Sequence, residues 1–542
     1  MLVTTSILAQ AQWRGTACSD GGGTALALRL RGLPSPGQTV DLGLTASPTV
    51  TTYTLLVGAS DSAWGSVPLP LDLAFAGMPG CTLYASPDLV LAPLAVAAWT
   101  SLPLPDVPAV LGRSLHLQAV VHDPAIARPT PVATSDLLTL TLIAPPLVQA
   151  EPIHTGPTRV GTPPTWNAHL PKLAGDAVHL YAVHTHYATD VAARTSTILR
   201  RPRAGGAWVA VATVAQAQQL PGIVMDTVQR LHLVFNCAAS SGDCFPGGAG
   251  GHRFYHLIFA TRDGSGALRF DTYLNHDEWP QANNGYLGLG TTATGATIWS
   301  LADNNWDRIP QWWASGTSFG TFPALSSTGA YLLYPVTAAA PAADQWLLYF
   351  GEFVPGSNNA LYRASVAYLW DPPASGSRLL FREVHPNPIV GATNAFPSDV
   401  AWDEAGVLHV LSYLRDATTC TWLRRYADGV ANPPVVRAVG CVSNYATIQF
   451  NRRGTLYLLT PGAGSQVRLG VSHDRGASWA WIDVPIQGLP ANGDVRYVGY
   501  GPVKPFTSPG LYDPDVLRFF FAGLDASDQA QHSYYGELPL PY

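Results

Sequence analysis

Three stretches of this chain share one design: 220–235, 397–413 and 445–459. In each, an apolar run enters a turn containing Asp, Asn or Gly, and a second, strongly apolar run follows. Less regular copies lie at 166–183, 286–301, 331–350 and 510–522. Their starts recur at roughly 50-residue spacing, within the range of propeller blades and far too long for a β-helix coil. A unit of a few short strands cannot bury both of its faces alone. Successive units must pack on one another, and the first must meet the last. The spacing therefore predicts a closed ring of seven blades, with six nearly as good a count. A large irregular sandwich is the competing all-β reading. The C-terminal strand around 533–538 is expected to complete the first blade and hold the ring shut.

Composition agrees with many short strands. The chain has 51 Gly and 46 Pro, enough to interrupt long helices, and only 12% of its residues are charged. Lysine occurs twice, as Lys172 and Lys504. A net charge of -6 without any basic run gives no reason to expect nucleic acid. No apolar run reaches the roughly 18 residues that a membrane-spanning helix needs. The six cysteines fall into local pairs, and none is spaced as a C-x-x-C zinc knuckle. Three disulfides are expected, Cys18–Cys81, Cys237–Cys244 and Cys420–Cys441, in a secreted or cell-surface protein. The alternative is six buried thiols in a cytosolic one. No metal site and no cofactor are expected, since no phosphate loop or dinucleotide fingerprint is present.

Residues 1–14 read as a signal-peptide remnant, ending in Ala9-Gln10-Ala11, or as a first strand. Residues 15–143 read as a β-sandwich. Apolar alternation is clear in 24–30, 51–57 and 115–121, with turn residues between. The segments Pro68–Leu73 and Ser101–Pro105 resemble a Leu/Pro/Gly-rich sandwich module of secreted bacterial proteins, which implies an accessory domain with a cell-surface or matrix partner. Residues 144–164, rich in Pro, Thr and Gly, read as a linker, and 165–542 as the propeller.

The stretch Ser472-His473-Asp474-Arg475-Gly476-Ala477-Ser478-Trp479 fits Ser-x-Asp-x-Gly-x-Ser/Thr-Trp at every defined position. Ser472 and Asp474 can bond backbone N–H groups within the turn, and Gly476 can take positive φ. Trp479 is expected to be buried against the hairpin. The motif resembles the Asp-box of sialidase-type (BNR) β-propellers, where such boxes join the outer strands of a blade. Degenerate copies lie at 261–268 and 201–208. The resemblance implies a hairpin staple rather than a catalytic element.

Chemistry is sought in loops entering the inner strands, which line the funnel of a propeller. His184 and His186 share one face of an extended strand and offer imidazoles for proton transfer. His252, Arg253 and Tyr255 combine a base, a cation to neutralise a carboxylate, and a proton-moving phenol. Trp166, Asn167 and His169, and Asn304, Trp306, Arg308 and Trp312, combine flat aromatic faces with groups that bond hydroxyls. Each set has a plain structural reading as well, as wet strand ends, alternating hairpin faces or turn formers. The stretch from Asn167 to His184 is loosely similar to BNR-type polysaccharide lyases of the ulvan-degrading kind. That resemblance implies proton abstraction alpha to a uronic carboxylate by His and Tyr, with Arg neutralising the carboxylate.

Together these features point to an all-β protein, a sandwich followed by a six- or seven-bladed propeller. Its expected role is recognition of an extracellular polysaccharide, with cleavage by a lyase or glycoside hydrolase mechanism as a further step. The alternative is a non-catalytic surface or matrix protein whose propeller binds partners. Fold does not decide between them.

Overall fold

Short strands with apolar faces account for nearly all regular structure. The computed structural model describes residues 11–154, 159–160, 171–186, 194–215, 221–236, 254–260, 269–275, 286–291, 297–302, 311–314, 320–321, 331–339, 346–354, 361–371, 376–384, 395–414, 421–426, 435–440, 446–489, 494–500, 503–505, 507–524 and 530–540. Among these, no helix is long and apolar enough to cross a membrane.

The N-terminal sandwich has one sheet in the order Ala11–Arg14, Leu137–Thr141, Ser114–His122, Thr52–Gly58, Leu89–Ala95, with Val132–Thr134 also on Ser114–His122. The second sheet runs Thr100–Pro103, Thr39–Thr45, Ala27–Arg31. Alternation sets the inward face: in Ala27–Arg31, Leu28 and Leu30 are buried and their neighbours half-buried. Leu30, Leu42, Leu55, Leu117 and Leu138 share one core. Cys18 and Cys81 form a disulfide with S–S 2.04 Å, as expected. Cys237, Cys244, Cys420 and Cys441 lie outside the described residues.

Among the described residues five four-stranded antiparallel sheets follow, and a nine-stranded sheet holds two further four-stranded blades joined edge to edge, with Arg159–Val160 added to one strand. Their inner strands are Leu173–Gly175, Gly222–Met225, Tyr286–Thr291, Tyr331–Ala339, Ala395–Trp402, Thr447–Phe450 and Asp494–Tyr500, for blades one to seven. The fold is a β-sandwich joined to a seven-bladed propeller.

The sequence repeat has a local cause. An Asp or Asn at the end of the inner strand caps the turn to the second strand. Asp403 Oδ1 accepts the Ala405 and Val407 N–H groups at 3.0 and 2.9 Å. Asn451 Oδ1 accepts those of Arg453 and Thr455, both at 3.0 Å. Asp226 Oδ1 takes the Arg230 N–H at 2.7 Å, and Asp176 Oδ1 takes those of Val178 and His179, both at 2.7 Å. In blades two and five the second carboxylate oxygen faces a buried imidazole of the next strand: His232 Nε2 is 3.1 Å from Asp226, and His409 Nε2 is 3.4 Å from Asp403. The carboxylate thus satisfies the turn and anchors the second strand at once.

The Ser472–Trp479 turn joins the third and fourth strands of blade six. Ser472 Oγ accepts the Gly476 N–H at 2.7 Å and Asp474 Oδ1 accepts that of Ser478 at 2.8 Å. Gly476 takes φ 86°. Trp479 differs from expectation. It is half-buried, stacked on Trp481 with ring centroids 5.9 Å apart. The exposed outer edge of the blade cannot enclose it. The turn also meets the sandwich: the His473 ring lies 5.9 Å from that of Trp13 and bonds the Gly32 backbone.

Ring closure reverses the expected strand exchange. The C-terminal strand Ala530–Pro539 is the third strand of blade seven, not a part of blade one. The fourth comes from before the propeller: Val148–Pro152 pairs antiparallel with it, Gln149 opposite Glu537 and Pro152 opposite Tyr534. At its start the same strand pairs in parallel with blade six, Val148 opposite Ile486. Part of the segment read as linker is therefore a strand. A blade short of its outer strand takes one from whichever chain segment lies alongside, and here that is the segment leaving the sandwich. At Gly488, with φ 92°, an added Cβ would sit 2.4 Å from the Ala150 carbonyl oxygen of this strand.

One segment, 503–514, crosses the channel. The Thr507 carbonyl accepts the Met225 N–H of blade two at 3.0 Å, and Ser508 Oγ accepts the Gly175 N–H of blade one at 3.2 Å. On the other side Lys504 Nζ reaches the Ile448 carbonyl of blade six and lies 2.7 Å from Asp399 Oδ2 of blade five. Asp399 also accepts the Thr447 hydroxyl and the Ile448 N–H. Inner strands carry unpaired edge groups toward the channel, and this segment satisfies them.

Two outcomes are expected. Gly488→Ala forces a strained φ and a clash with Ala150, and should lower unfolding free energy in urea by about 1–3 kcal/mol; wild-type stability would show that the closing strand does not approach so closely. Lys504→Met strands the Asp399 carboxylate and should cost about 3–5 kcal/mol; a calorimetric scan unchanged from wild type would rule out the cross-channel anchor.

Candidate functional site

The direction of the inner strands decides where a site can lie. Gly175 and Met225 end the inner strands of blades one and two at the 503–514 segment. Thr291, Ala339, Trp402 and Phe450, at the ends of the next four, line a cavity that this segment also lines. The inner strand of blade seven, Asp494–Tyr500, runs directly into it. That end of the channel is closed. No described segment crosses the opposite rim, the open one among the described residues, where inner strands begin, second strands end and third strands start.

Strand ends at this rim bracket every stretch in which the sequence placed candidate site residues. Leu173, which starts the inner strand of blade one, follows Trp166, Asn167 and His169. Asn236 and Phe254, opposite each other in blade two, flank His252 and Arg253. Ala302 and Gln311 in blade three flank Asn304, Trp306 and Arg308. Those eight candidates themselves lie outside the described residues. Tyr255 and Trp312 are described in backbone only: Tyr255 pairs with Phe235 and Asn275, and Trp312 with Ser300. His184 and His186 end the second strand of blade one, opposite Thr197 and Thr195.

The two histidines have different surroundings. His186 is exposed. His184 is 2% exposed, packed where blade one meets blade seven. Its ring stacks on His154 with centroids 4.2 Å apart, and its Nδ1 lies 3.1 Å from Ser533 Oγ. His154 follows the closing strand, and Ser533 lies on the third strand of blade seven. Burial, reinforced by neighbouring His154, His186 and His532, lowers its pKa to about 3. A general base works best near the operating pH and in reach of its substrate, whereas this imidazole is neutral and covered at the seam of blades one and seven. Strand alternation put both histidines on one face, but only the tertiary fold covered one of them.

Sequence reading passed over Lys172. It is 2% exposed at the starts of the inner strands of blades one and two, and its Nζ donates to the Pro221 carbonyl at 2.5 Å. Burial holds its pKa well below the usual lysine value. Its signal was composition: the chain has two lysines, and both are buried. Among the described residues no group of three or more His, Cys, Asp or Glu is arranged to hold a metal ion.

No family model matches the chain, and no curated protein matches it by sequence. Solved structures match it by shape. A polysaccharide lyase aligns at 9% identity and TM-score 0.47, over 70% of this chain and 91% of that one. An ulvan lyase with a bound saccharide aligns at 13% identity and TM-score 0.47, over 70% and 94%. The α-L-arabinanase of Penicillium chrysogenum, solved with arabinobiose, aligns at 11% and 0.37, over 73% and 98%. Likeness at this level says nothing of activity.

The His184 environment gives a signed pH dependence. Its folded pKa of about 3 lies below the ordinary 6.5, so the unfolded chain binds the proton more readily. Stability contributed by the neutral ring is complete above about pH 6.5 and falls as pH drops toward 3, at a slope approaching about 1.4 kcal/mol per pH unit. His184→Gln removes this titration. Its stability relative to wild type should improve steadily from pH 7 to pH 4 in thermal melts. Parallel pH profiles would place the titration elsewhere.

Proposed function

We propose that this is a secreted or cell-surface protein whose propeller recognises an extracellular polysaccharide at its open rim. One observation carries the reading: strand ends at that rim bracket all of the aromatic, amide and acid/base stretches singled out by residue type, while the opposite mouth is closed by 503–514. Trp166, Asn167, His169, Asn304, Trp306, Arg308 and Trp312 supply the stacking faces and hydroxyl partners that sugar rings need. The Cys18–Cys81 disulfide supports an oxidising location.

Cleavage belongs to the same proposal. His186 or His252 takes the proton alpha to a uronic carboxylate, Arg253 neutralises that carboxylate, and Tyr255 returns a proton to the leaving oxygen. His184 is outside this set because it is covered. The product would carry a C4–C5 double bond, which absorbs in the ultraviolet. Incubation with a panel of uronic and neutral polysaccharides is the direct test, read by absorbance and by new reducing ends. Rising absorbance with one uronic polymer is expected, and Tyr255→Phe should slow it by about 10²–10⁴-fold. New reducing ends without absorbance would replace elimination by hydrolysis. Binding without any new ends would leave recognition alone, and no retention of any polymer on affinity gels would overturn the whole reading.

A further inference from the structure

We infer that the closed end of the propeller holds a second site, sized and charged for one small organic cation, an ammonium ion on an apolar body. It is separate from the open rim and does not rest on the reading of that rim. A cavity of about 250 Å³ opens there between the inner-strand ends of blades three to six and the segment that crosses the channel. It falls below the roughly 300–1,000 Å³ common for drug-sized ligands, which suits a small molecule and not a run of polymer.

Its walls are mostly apolar. Val400, Ile448, Phe450 and Pro505 line it, and half-buried Trp402 and Tyr512 add aromatic surface. An apolar body is favoured against such walls, and the face of an aromatic ring attracts a cation. The capped turn of blade five adds a charge. Asp403 Oδ1 accepts the Ala405 and Val407 N–H groups at 3.0 and 2.9 Å, which fixes the turn that carries Glu404. Glu404 lines the cavity and is exposed, and its carboxylate makes no hydrogen bond or ion pair among the described residues.

The other charged groups of the lining are paired. Lys504 lies 2.7 Å from Asp399. Asp403 is taken by its turn and by His409 at 3.4 Å, with Arg475 at 3.8 Å. Arg452, which holds in blade six the place of Glu404 in blade five, is held by Asp513 and Asp515 at 3.4 and 3.5 Å. Arg453, next in that turn, does not line the cavity. One arginine against two aspartates leaves a second negative charge unmatched beside that of Glu404. Walls of low polarity focus such a field into a cleft. An anion would meet this excess without a free cation to offset it, and a neutral molecule would gain nothing from it. A metal ion would lack ligands, since among the described residues no group of three or more His, Cys, Asp or Glu is arranged to hold one. An ammonium ion is the group that both the carboxylate and the rings favour.

The test is titration calorimetry and ligand-observed NMR on the full chain with probes of closely similar shape: phenethylamine, its N-trimethylammonium form, phenethyl alcohol and 3-phenylpropanoate. Saturable binding of both cations is expected, with the alcohol at least about tenfold weaker and the anion weakest. Glu404→Gln is the decisive variant. It changes an exposed turn residue, so the melting temperature should stay that of wild type. Both cations should bind it at least about tenfold more weakly, at the level of the alcohol. Equal binding of the cations and the alcohol by the wild-type chain would overturn the ligand class. Cation binding unchanged in Glu404→Gln would place those ligands elsewhere and overturn this site. Absence of saturable binding by both cations would overturn the proposal.

Discussion

A single ammonium group, Lys504 Nζ, ties two blades together across the channel of this propeller. It bonds the Ile448 carbonyl of blade six and pairs with Asp399 of blade five, and it does so out of contact with water. Burial pulls its pKa below the usual lysine value, while Asp399 opposes that pull. A lysine without its aspartate would be costly there, and so would an aspartate without its lysine. The pair fixes one half of the segment 503–514, and the bonds to Gly175 and Met225 fix the other half. One end of the ring is thereby shut, and the segment caps inner strands from four blades.

The rest of the architecture follows from how edges are satisfied. Inner strand edges meet the crossing segment. The outer edge of blade seven is built from Val148–Pro152, which also pairs with blade six and joins the two blades into one sheet. The sandwich cannot swing freely, because the chain leaving it becomes this strand. Its Trp13 and Gly32 also rest on His473, whose pKa burial lowers to about 4. The sandwich and the ring therefore share one apolar core around Leu142, Val148 and Leu469.

The two ends of the channel differ in kind. The open rim collects the strand ends that flank the aromatic and acid/base stretches in the sequence. The closed end is crossed by 503–514 and leaves a small cavity with mostly apolar walls. One fold can carry both because the turns at the two ends are independent: first-to-second strand turns serve one end and second-to-third connections the other.

Much of this was legible in residue order alone. The blade repeat showed because its turn is a local device. Asp226, Asp403 and Asn451 bond their own neighbours, so the residues that make the turn must sit at set offsets. The Ser472–Trp479 turn was legible for the same reason, as was the sandwich, whose alternation is a property of single strands. What residue order did not show depends on partners far apart in the chain. Nothing near His184 reveals that His154 and Ser533 will cover it, since Ser533 lies 349 residues away. Trp479 met the local pattern, yet its burial depended on how much of the blade edge stays open. The source of the closing strand and the pairing of Lys504 with Asp399 were likewise decided only by tertiary structure. Periodicity reports which face a side chain takes. Only the assembled ring determines what stands opposite that face.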